Sequence, residues 1–303
     1  MSLKNFTKIL EYKLIVLVIL LIPLANYQVA IRNSGSKKEF KYKIFKNVID
    51  SLIKMGVDSI FVISLINDNR THFDERFAKI NVISQPKLDF TKNFDDKAIW
   101  KIHKFIEKNY DVLQSVETRF NVPKEIVAII LWVESKFGDV VGKNHIPSVL
   151  LSMAAVANPE ILENLLSLNS VNAEKEDSLY QIFYQRAKIK ENFALNELYA
   201  LFEIQKKGLM EIQNLYGSFS GAFGIPQFVP SSYLKYGYDG NLDGKVDLFN
   251  LVDAIYSVAN FLHQNGWISG DTKSYYRTLY KYNKSQLYVE SILYAYNKLK
   301  NYK

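Results

Sequence analysis

Apolar residues recur at helical spacing along most of the chain, and the strict alternation that marks a half-buried strand is missing. Phe45, Val48, Ile49, Leu52 and Ile53 form one stripe that stops at Gly56, and a second apolar cluster covers Ile60 to Ile66. The segment Asn81 to Phe90, which contains Pro86, reads as an extended connection. Beyond it, Ile99, Ile102, Ile106, Tyr110 and Leu113 predict one amphipathic helix. The stretch NVPKE (Asn121 to Glu125) offers a cap and a first-turn proline for the next helix, whose run Ile126 to Val133 is apolar on every side and which should end near Gly138. A helix of that kind is a buried one. Helical spacing returns from Ile161 to Lys207, with a polar break at Asn169 to Ser178. Val252, Ile255, Val258, Ala259 and Leu262 share a face that ends at Gly266, and a last helix covers Leu287 to Leu299. The pattern predicts a mainly α-helical protein with at most a small sheet.

The chain has 303 residues, 48% of them apolar, which is enough for one large core or two modest ones. Its net charge of +7 comes almost entirely from lysine. The six arginines, at 32, 70, 76, 119, 186 and 277, are scattered, and no nucleic-acid-binding motif accompanies them, so no nucleic-acid partner is expected. Lys4, Lys8 and Lys13 precede LIVLVILLIPLA (Leu14 to Ala25), the arrangement of a signal-peptide core. No good cleavage site follows, so the segment serves equally as an N-terminal membrane anchor. Export to the periplasm or cell envelope is the expectation, and the absence of cysteine excludes disulfides and a lipoprotein-type anchor. The four histidines are dispersed without zinc spacing and read as structural or surface residues.

Chemistry enters where the oily run meets an acid, in IVAIILWVESKFG (Ile126 to Gly138). Burial disfavours a charged carboxylate and raises its pKa, which makes Glu134 a candidate general acid. The plainer alternative is an acid that reaches solvent at a helix end or pairs with Lys136 or Lys143. A second stretch, GSFSGAFGIPQFVPSSY (Gly217 to Tyr233), is punctuated too often for a long helix. Its small residues let backbone approach a ligand, while Ser218, Ser220 and Gln227 offer hydrogen bonds and Phe219, Phe223 and Phe228 offer ring faces. Such a loop suits a sugar. A third stretch, DGNLDGKVDLFN (Asp239 to Asn250), places oxygen ligands at positions 1, 3 and 5 and glycine at position 6, as an EF-hand loop does. Asn250 stands where the closing glutamate belongs, and Asp253 can close the site instead. Asp239, Asn241, Asp243, the carbonyl of Lys245 and Asp253 are therefore the candidate calcium ligands, with Asp247 as an extra; no organic cofactor is expected.

Taken together, VESKFGDVVGK (Val133 to Lys143), GSFSGAFGIPQFVPSSY and DGNLDGKVDLFNLVDAIYSVANFLHQNGW (Asp239 to Trp267) resemble the membrane-bound lytic murein transglycosylase B family. The resemblance runs from about Phe40 to the C-terminus. It implies an α+β lysozyme-like core, a peptidoglycan glycan strand as partner, and cleavage between N-acetylmuramic acid and N-acetylglucosamine. It also implies that Glu134 is the single catalytic acid, later acting as base, and that the product carries a 1,6-anhydro ring. The family's substrate-contacting serine and glutamine fall on Ser218 and Gln227, the following aromatic on Phe228, and a tyrosine–asparagine pair on Tyr282 and Asn283. A metal ligand of the family falls on Asp253. Two aromatic positions depart from the pattern: Phe137 stands in place of a tryptophan, and Phe261 in place of a substrate-contacting tyrosine. Residues Pro159 to Leu215 align poorly.

Ordinary glycosidases need two carboxyl groups, roughly 5–9.5 Å apart. Only Asp139 joins Glu134 within the first two motifs, and its place after a helix-ending glycine reads as a surface residue. The expected organisation is a signal or anchor segment at 1–30, a small helical region at 40–85, and a catalytic domain at 95–303 with the calcium loop at 239–253. Rival readings are a lysozyme-type hydrolase of the same bond and a peptidoglycan-binding scaffold that does not cut.

Overall fold

The computed structural model describes residues 39–80, 82–83, 91–169, 171 and 178–302. The expected signal or anchor segment, and most of the connection at 81–90, lie outside them. The chain divides into two compact units, Met1–Lys46 and Asn47–Lys303. Within the first, residues 39–46 are helical. The second holds the candidate residues and is described below.

After helical residues 47–54, unit two is built from twelve α-helices among the described residues. In chain order these are α1 (Ser59–Asn67), α2 (Glu75–Lys79), α3 (Asp96–Lys108), α4 (Tyr110–Phe120), α5 (Lys124–Ser135), α6 (Ile146–Ala154), α7 (Pro159–Leu168), α8 (Ser178–Lys206), α9 (Pro230–Tyr236), α10 (Leu251–Gln264), α11 (Thr272–Tyr282) and α12 (Gln286–Lys300). Two short strands, β1 (Asn144–His145) and β2 (Tyr216–Gly217), pair antiparallel with Asn144 opposite Gly217. Mainly helical with one small sheet is what the hydrophobic spacing predicts.

The apolar run predicts a buried helix, and α5 is one: every residue from Ile126 to Trp132 is buried, with α3, α4, α10 and α12 packed around it. Helices on every side leave no face of α5 for solvent, which is why the run shows no polar stripe. A second layer forms where α6 packs on α2 and α8, and α8 in turn carries α9.

One predicted element differs and two helices go unpredicted. The single helix expected through Ile99 and Leu113 is two, α3 and α4, because Asn109 leaves the helical path and its side chain donates to the Phe105 carbonyl at 2.8 Å. Helix α6 escapes the spacing argument because all nine of its residues are buried, which removes the polar face that periodicity needs. Helix α11 is hidden for the opposite reason: Ser274 and Thr278 share its buried face with Tyr275 and Leu279, so hydroxyls stand where an apolar stripe is expected. Their hydroxyls are satisfied inside the helix and its preceding turn. Among the described residues no single helix is long and apolar enough to cross a membrane.

The two strands matter because they hold the Gly217–Tyr233 stretch against the end of α5. Gly142, just before β1, has φ +87°, and a methyl group there would run into the Gly217 carbonyl. Gly142→Ala combines a left-handed backbone with a backbone clash, so it should lower unfolding free energy by roughly 2 kcal/mol or more. Urea titration against the parent protein measures this; an unchanged midpoint would mean the strands do not constrain the stretch.

Candidate active site

Helix α5 ends one residue after Glu134 because Lys136 and Phe137 both adopt left-handed backbone, φ 53° and 62°. Their N–H groups donate to Trp132 and Leu131 carbonyls at 3.0 and 3.1 Å, satisfying the last turn. Two successive non-glycine residues in this region are strained, and packing holds them. The Phe137 ring stacks on Phe105 at 3.7 Å, and Lys136 Nζ lies 4.4 Å over the Trp132 ring while donating to Asn93 Oδ1. Lys136 is thereby turned away from Glu134.

Ser135 fixes this helix end to the second motif. Its buried hydroxyl donates to the Ile225 carbonyl at 2.6 Å and accepts from the Gly138 N–H at 3.0 Å. Around Ile225 the loop makes a tight hairpin, with Phe223 and Phe228 exchanging backbone hydrogen bonds of 2.9 and 3.1 Å. Gln227 sits at its tip in left-handed backbone, φ 52°, held by its own side-chain amide donating to Gly224 and Val141 carbonyls. Ser218 Oγ accepts from the N–H groups of Ser220 and Ala222, both at 3.2 Å, and so shapes the preceding turn. The hairpin reaches the third motif through the Ile225 N–H, which donates to the Leu248 carbonyl at 2.8 Å.

Aromatic side chains connect the hairpin to the acid. At the end of α11, the Tyr282 hydroxyl donates to the Pro226 carbonyl at 2.7 Å, and its ring packs on Phe261 and Phe228 at 4.7 and 5.8 Å. Tyr288 lies nearly parallel to Tyr282, with 6.4 Å between ring centres. Its hydroxyl donates to Glu134 Oε1 at 2.8 Å. Glu134, Tyr282, Phe228 and Phe261 are thus brought into one constellation, with Gln227 on the adjoining hairpin. Phe228 and Phe261 are almost wholly covered by other rings and back the site, whereas Tyr282 and Asn283 are half-buried and line an open groove.

Burial raises the Glu134 carboxyl from 4.5 to about 7, opposed in part by the Tyr288 hydrogen bond. Among the described residues no other acid and no cation contributes to the shift. The side chain is half-buried: protein atoms crowd the carboxyl, yet the residue keeps a face toward solvent. Burial also pushes the Tyr282 and Tyr288 hydroxyls well up, so both stay protonated and able to donate at neutral pH. Asp139 is exposed and makes no hydrogen bond to Glu134.

A family model described as the transglycosylase SLT domain matches residues 73–276, most of the chain. The chain belongs to that family. It is 33% identical over 161 residues to membrane-bound lytic murein transglycosylase B of Escherichia coli strain K12, a match covering 53% of this chain and 36% of the relative. The chain therefore spans about a third of that relative's length. Among solved structures, Escherichia coli lytic transglycosylase SLT35 in complex with bulgecin A superposes with TM-score 0.65 at 20% identity, covering 85% of this chain and 92% of that one. The same enzyme in complex with calcium superposes with TM-score 0.64 and the same identity and coverage. The fold is that of the SLT transglycosylases, lysozyme-like and mostly helical.

In this SLT domain the Asp239–Asp253 loop is an oxygen-rich turn. Asp239 accepts from the N–H groups of Asp243 and Gly244, Asn241 Oδ1 accepts from Asp243, and Asp243 Oδ1 accepts from Lys245. Asp253, fully buried on α10, accepts from Gly240, Asn241 and Asp247. Among the described residues no group of three or more acidic or histidine side chains stands close enough to grip a metal as placed. The donors are nevertheless all oxygen, the chemistry that suits a hard cation.

Two residues of this site escape sequence reasoning. Tyr288 is one of seven tyrosines from Tyr275 to Tyr296, and nothing in its spacing distinguishes it. The clue is Ser285, whose side chain caps α12 and places Tyr288 in its first turn. Ser135 reads as a spacer after Glu134, although a small polar residue ahead of a glycine is a natural tie between segments.

The raised pKa has a consequence for stability. Between about pH 4.5 and 7 the unfolded chain loses the Glu134 proton while the folded one keeps it, so stability falls through that window and stays lowered above it. Glu134→Gln should therefore be more stable than the parent above pH 7, on the order of 1–3 kcal/mol. Denaturation at pH 4 and pH 8 tests this, with little difference expected at pH 4.

Proposed function

We propose that the chain is a peptidoglycan lytic transglycosylase that cuts between N-acetylmuramic acid and N-acetylglucosamine. The observation that carries the reading is a half-buried carboxyl with a pKa of about 7, with no second acid among the described residues near enough to perturb it. Two-acid glycosidases place their carboxyl groups within range of each other. Here Glu134 stands alone, protonated in a large fraction of molecules at neutral pH and ready to donate. Family membership and the ring of Tyr282, backed by Phe228 and Phe261, support a sugar polymer as substrate.

In the proposed reaction Glu134 gives its proton to the glycosidic oxygen as the bond to the muramic anomeric carbon breaks. The substrate's acetamido oxygen stabilises the positive charge that develops there. Glu134, now a carboxylate, takes the proton of the muramic 6-hydroxyl, whose oxygen closes on the anomeric carbon. The proton count balances, and the new end is a 1,6-anhydro ring. Tyr288 steadies the acid in both states, as a donor to the carboxylate and a positioning contact for the carboxyl. Ser218, Gln227 and Asn283 are the proposed polar contacts for the strand, and Phe228 and Phe261 support Tyr282 against a sugar ring. The lysine-led run Leu14 to Ala25 supports export to the envelope, where this polymer lies.

We assign calcium to the Asp239–Asp253 loop as a structural ion. Asp239, Asn241, Asp243, the Lys245 carbonyl and Asp253 would hold it, and its role would be to fix the loop that buttresses Ile225. Because metal bound only by the folded state adds stability, calcium should raise the melting temperature and a chelator should lower it. An unchanged melt on chelation would remove the ion from the account.

Incubation of isolated wall sacculi with the parent protein should release fragments with anhydro ends, detected by mass spectrometry. Glu134→Gln should release almost none, a loss of at least about a hundredfold for an essential acid. The parent's rate should also fall as pH rises through about 7, where the acid ionises. Reducing ends would identify a hydrolase, and binding without release a scaffold.

A further inference from the structure

Helix α9 begins without a cap of its own. The N–H groups of a first turn have no partner within their helix, and a side-chain oxygen of the residue just before it usually accepts one of them. Here that residue is Val229, which has no oxygen to offer. The acceptor comes instead from α8, 34 residues away: Glu197 Oε2 accepts from the Ser231 N–H at 2.8 Å, and Glu197 Oε1 from the Ser231 hydroxyl at 2.7 Å.

Such an acid sits in an unfavourable place. Glu197 is only 4% exposed, and among the described residues no cation is beside it. Burial pushes its carboxyl up, opposed by the two Ser231 hydrogen bonds. A serine or aspartate at position 229 would cap the helix without burying any charge. What the distant acid adds is location, because a helix of seven residues has little stability by itself and lies where its contacts hold it.

Location matters because of where α9 starts. The chain leaves the Phe223–Phe228 hairpin, passes Val229 and enters α9 at Pro230. Phe228 backs Tyr282, and Val229 lines the groove of about 660 Å³ that also takes in Tyr282 and Asn283. Phe193, one turn before Glu197 on α8, lines the same groove. Ser135 and Leu248 hold the hairpin at Ile225, on the limb before its tip. The Glu197–Ser231 pair holds the exit, and holds it to the helix that supplies Phe193.

We infer that Glu197 is a positioning residue for the glycan strand, setting the distance between α8 and the hairpin exit and with it the width of the groove. The inference rests on the proposal that the groove takes a glycan. Glu197 acts through Phe193, Val229 and Phe228 rather than on the strand itself. Its loss should weaken binding and leave the proton chemistry of Glu134 alone, since that acid is seated by ties from α5 and α12.

Cleavage of glycan strands freed of peptide, measured across pH, tests this. Glu197→Gln keeps the shape, but its amide nitrogen meets a Ser231 donor where an acceptor stood. KM should rise about tenfold while kcat stays within about twofold, and the fall in rate near pH 7 should keep its place. Ser231→Ala, at an exposed position, should raise KM about threefold, and Ser231→Thr, which keeps the hydroxyl, should keep the parent value. Glu197→Gln with Ser231→Ala should be little worse than Glu197→Gln alone, because both remove one interaction. Ile204→Val, buried further along α8, is the control: it should lower the melting temperature and leave KM unchanged. An unchanged KM in Glu197→Gln, or a KM that follows melting temperature across all the variants, overturns the inference. Failure of the catalytic reading is seen separately, as an absence of anhydro ends from the parent protein; the dissociation constant of the same strands then takes the place of KM.

Discussion

A carboxyl group crowded by protein atoms, with no cation beside it, is held away from the ionised state that water would favour. Everything around Glu134 serves that condition. The eight apolar residues before it bury the helix, the left-handed turn after it carries Lys136 off toward Trp132 and Asn93, and the described neighbours supply a single hydroxyl rather than a charge. A lysine one turn closer would have produced an ordinary ion pair and an acid with nothing to give at neutral pH. The strain of two left-handed side-chain-bearing residues is the structural cost of keeping that lysine away, and the Phe105–Phe137 stack offsets it.

The acid is also fixed by segments far from it in sequence. Ser135 holds Ile225, Ile225 holds Leu248, and Tyr282 holds Pro226. Each tie ends on a backbone carbonyl, so the side chains of Ile225 and Leu248 are free to differ while the path persists, whereas Ser135 and Tyr282 must keep their hydroxyls. Gly224 shows how tight the path is, since its backbone lies so close to Leu248 that a methyl group has no room. The oxygen-rich loop lies at the far end of this path from the acid, consistent with a role in support rather than in chemistry.

The helical class and the buried character of α5 were legible because they depend on composition over whole turns. The oily helix marked Glu134 as an anomaly but by itself left a plain surface acid as an equal reading; the half-buried seat comes from the packing around the helix end. Tyr288 was not legible, since its importance comes from the approach of α12 to α5, which no spacing within either helix encodes. Helix α11 was not legible either, because serine and threonine can fill a buried face when their hydroxyls bond to the preceding turn. The resemblance placed Phe228 and Phe261 among substrate contacts; the structure puts both mostly beneath other rings, where sequence position alone could not tell a wall from its backing.

The ties between Ser135, Ile225 and Leu248, and the bond from Tyr288, join parts of the chain up to 154 residues apart. Contacts of such separation form late, because long loops must close before they are rewarded. Until they form, Glu134 has an ordinary solvated carboxyl that is ionised near neutrality. The raised pKa of Glu134 is therefore a property of the finished fold and of no fragment of it. A chain still being made or moved in an unfolded state carries the residue without its held proton, which separates the making of this protein in time from any proton transfer by Glu134.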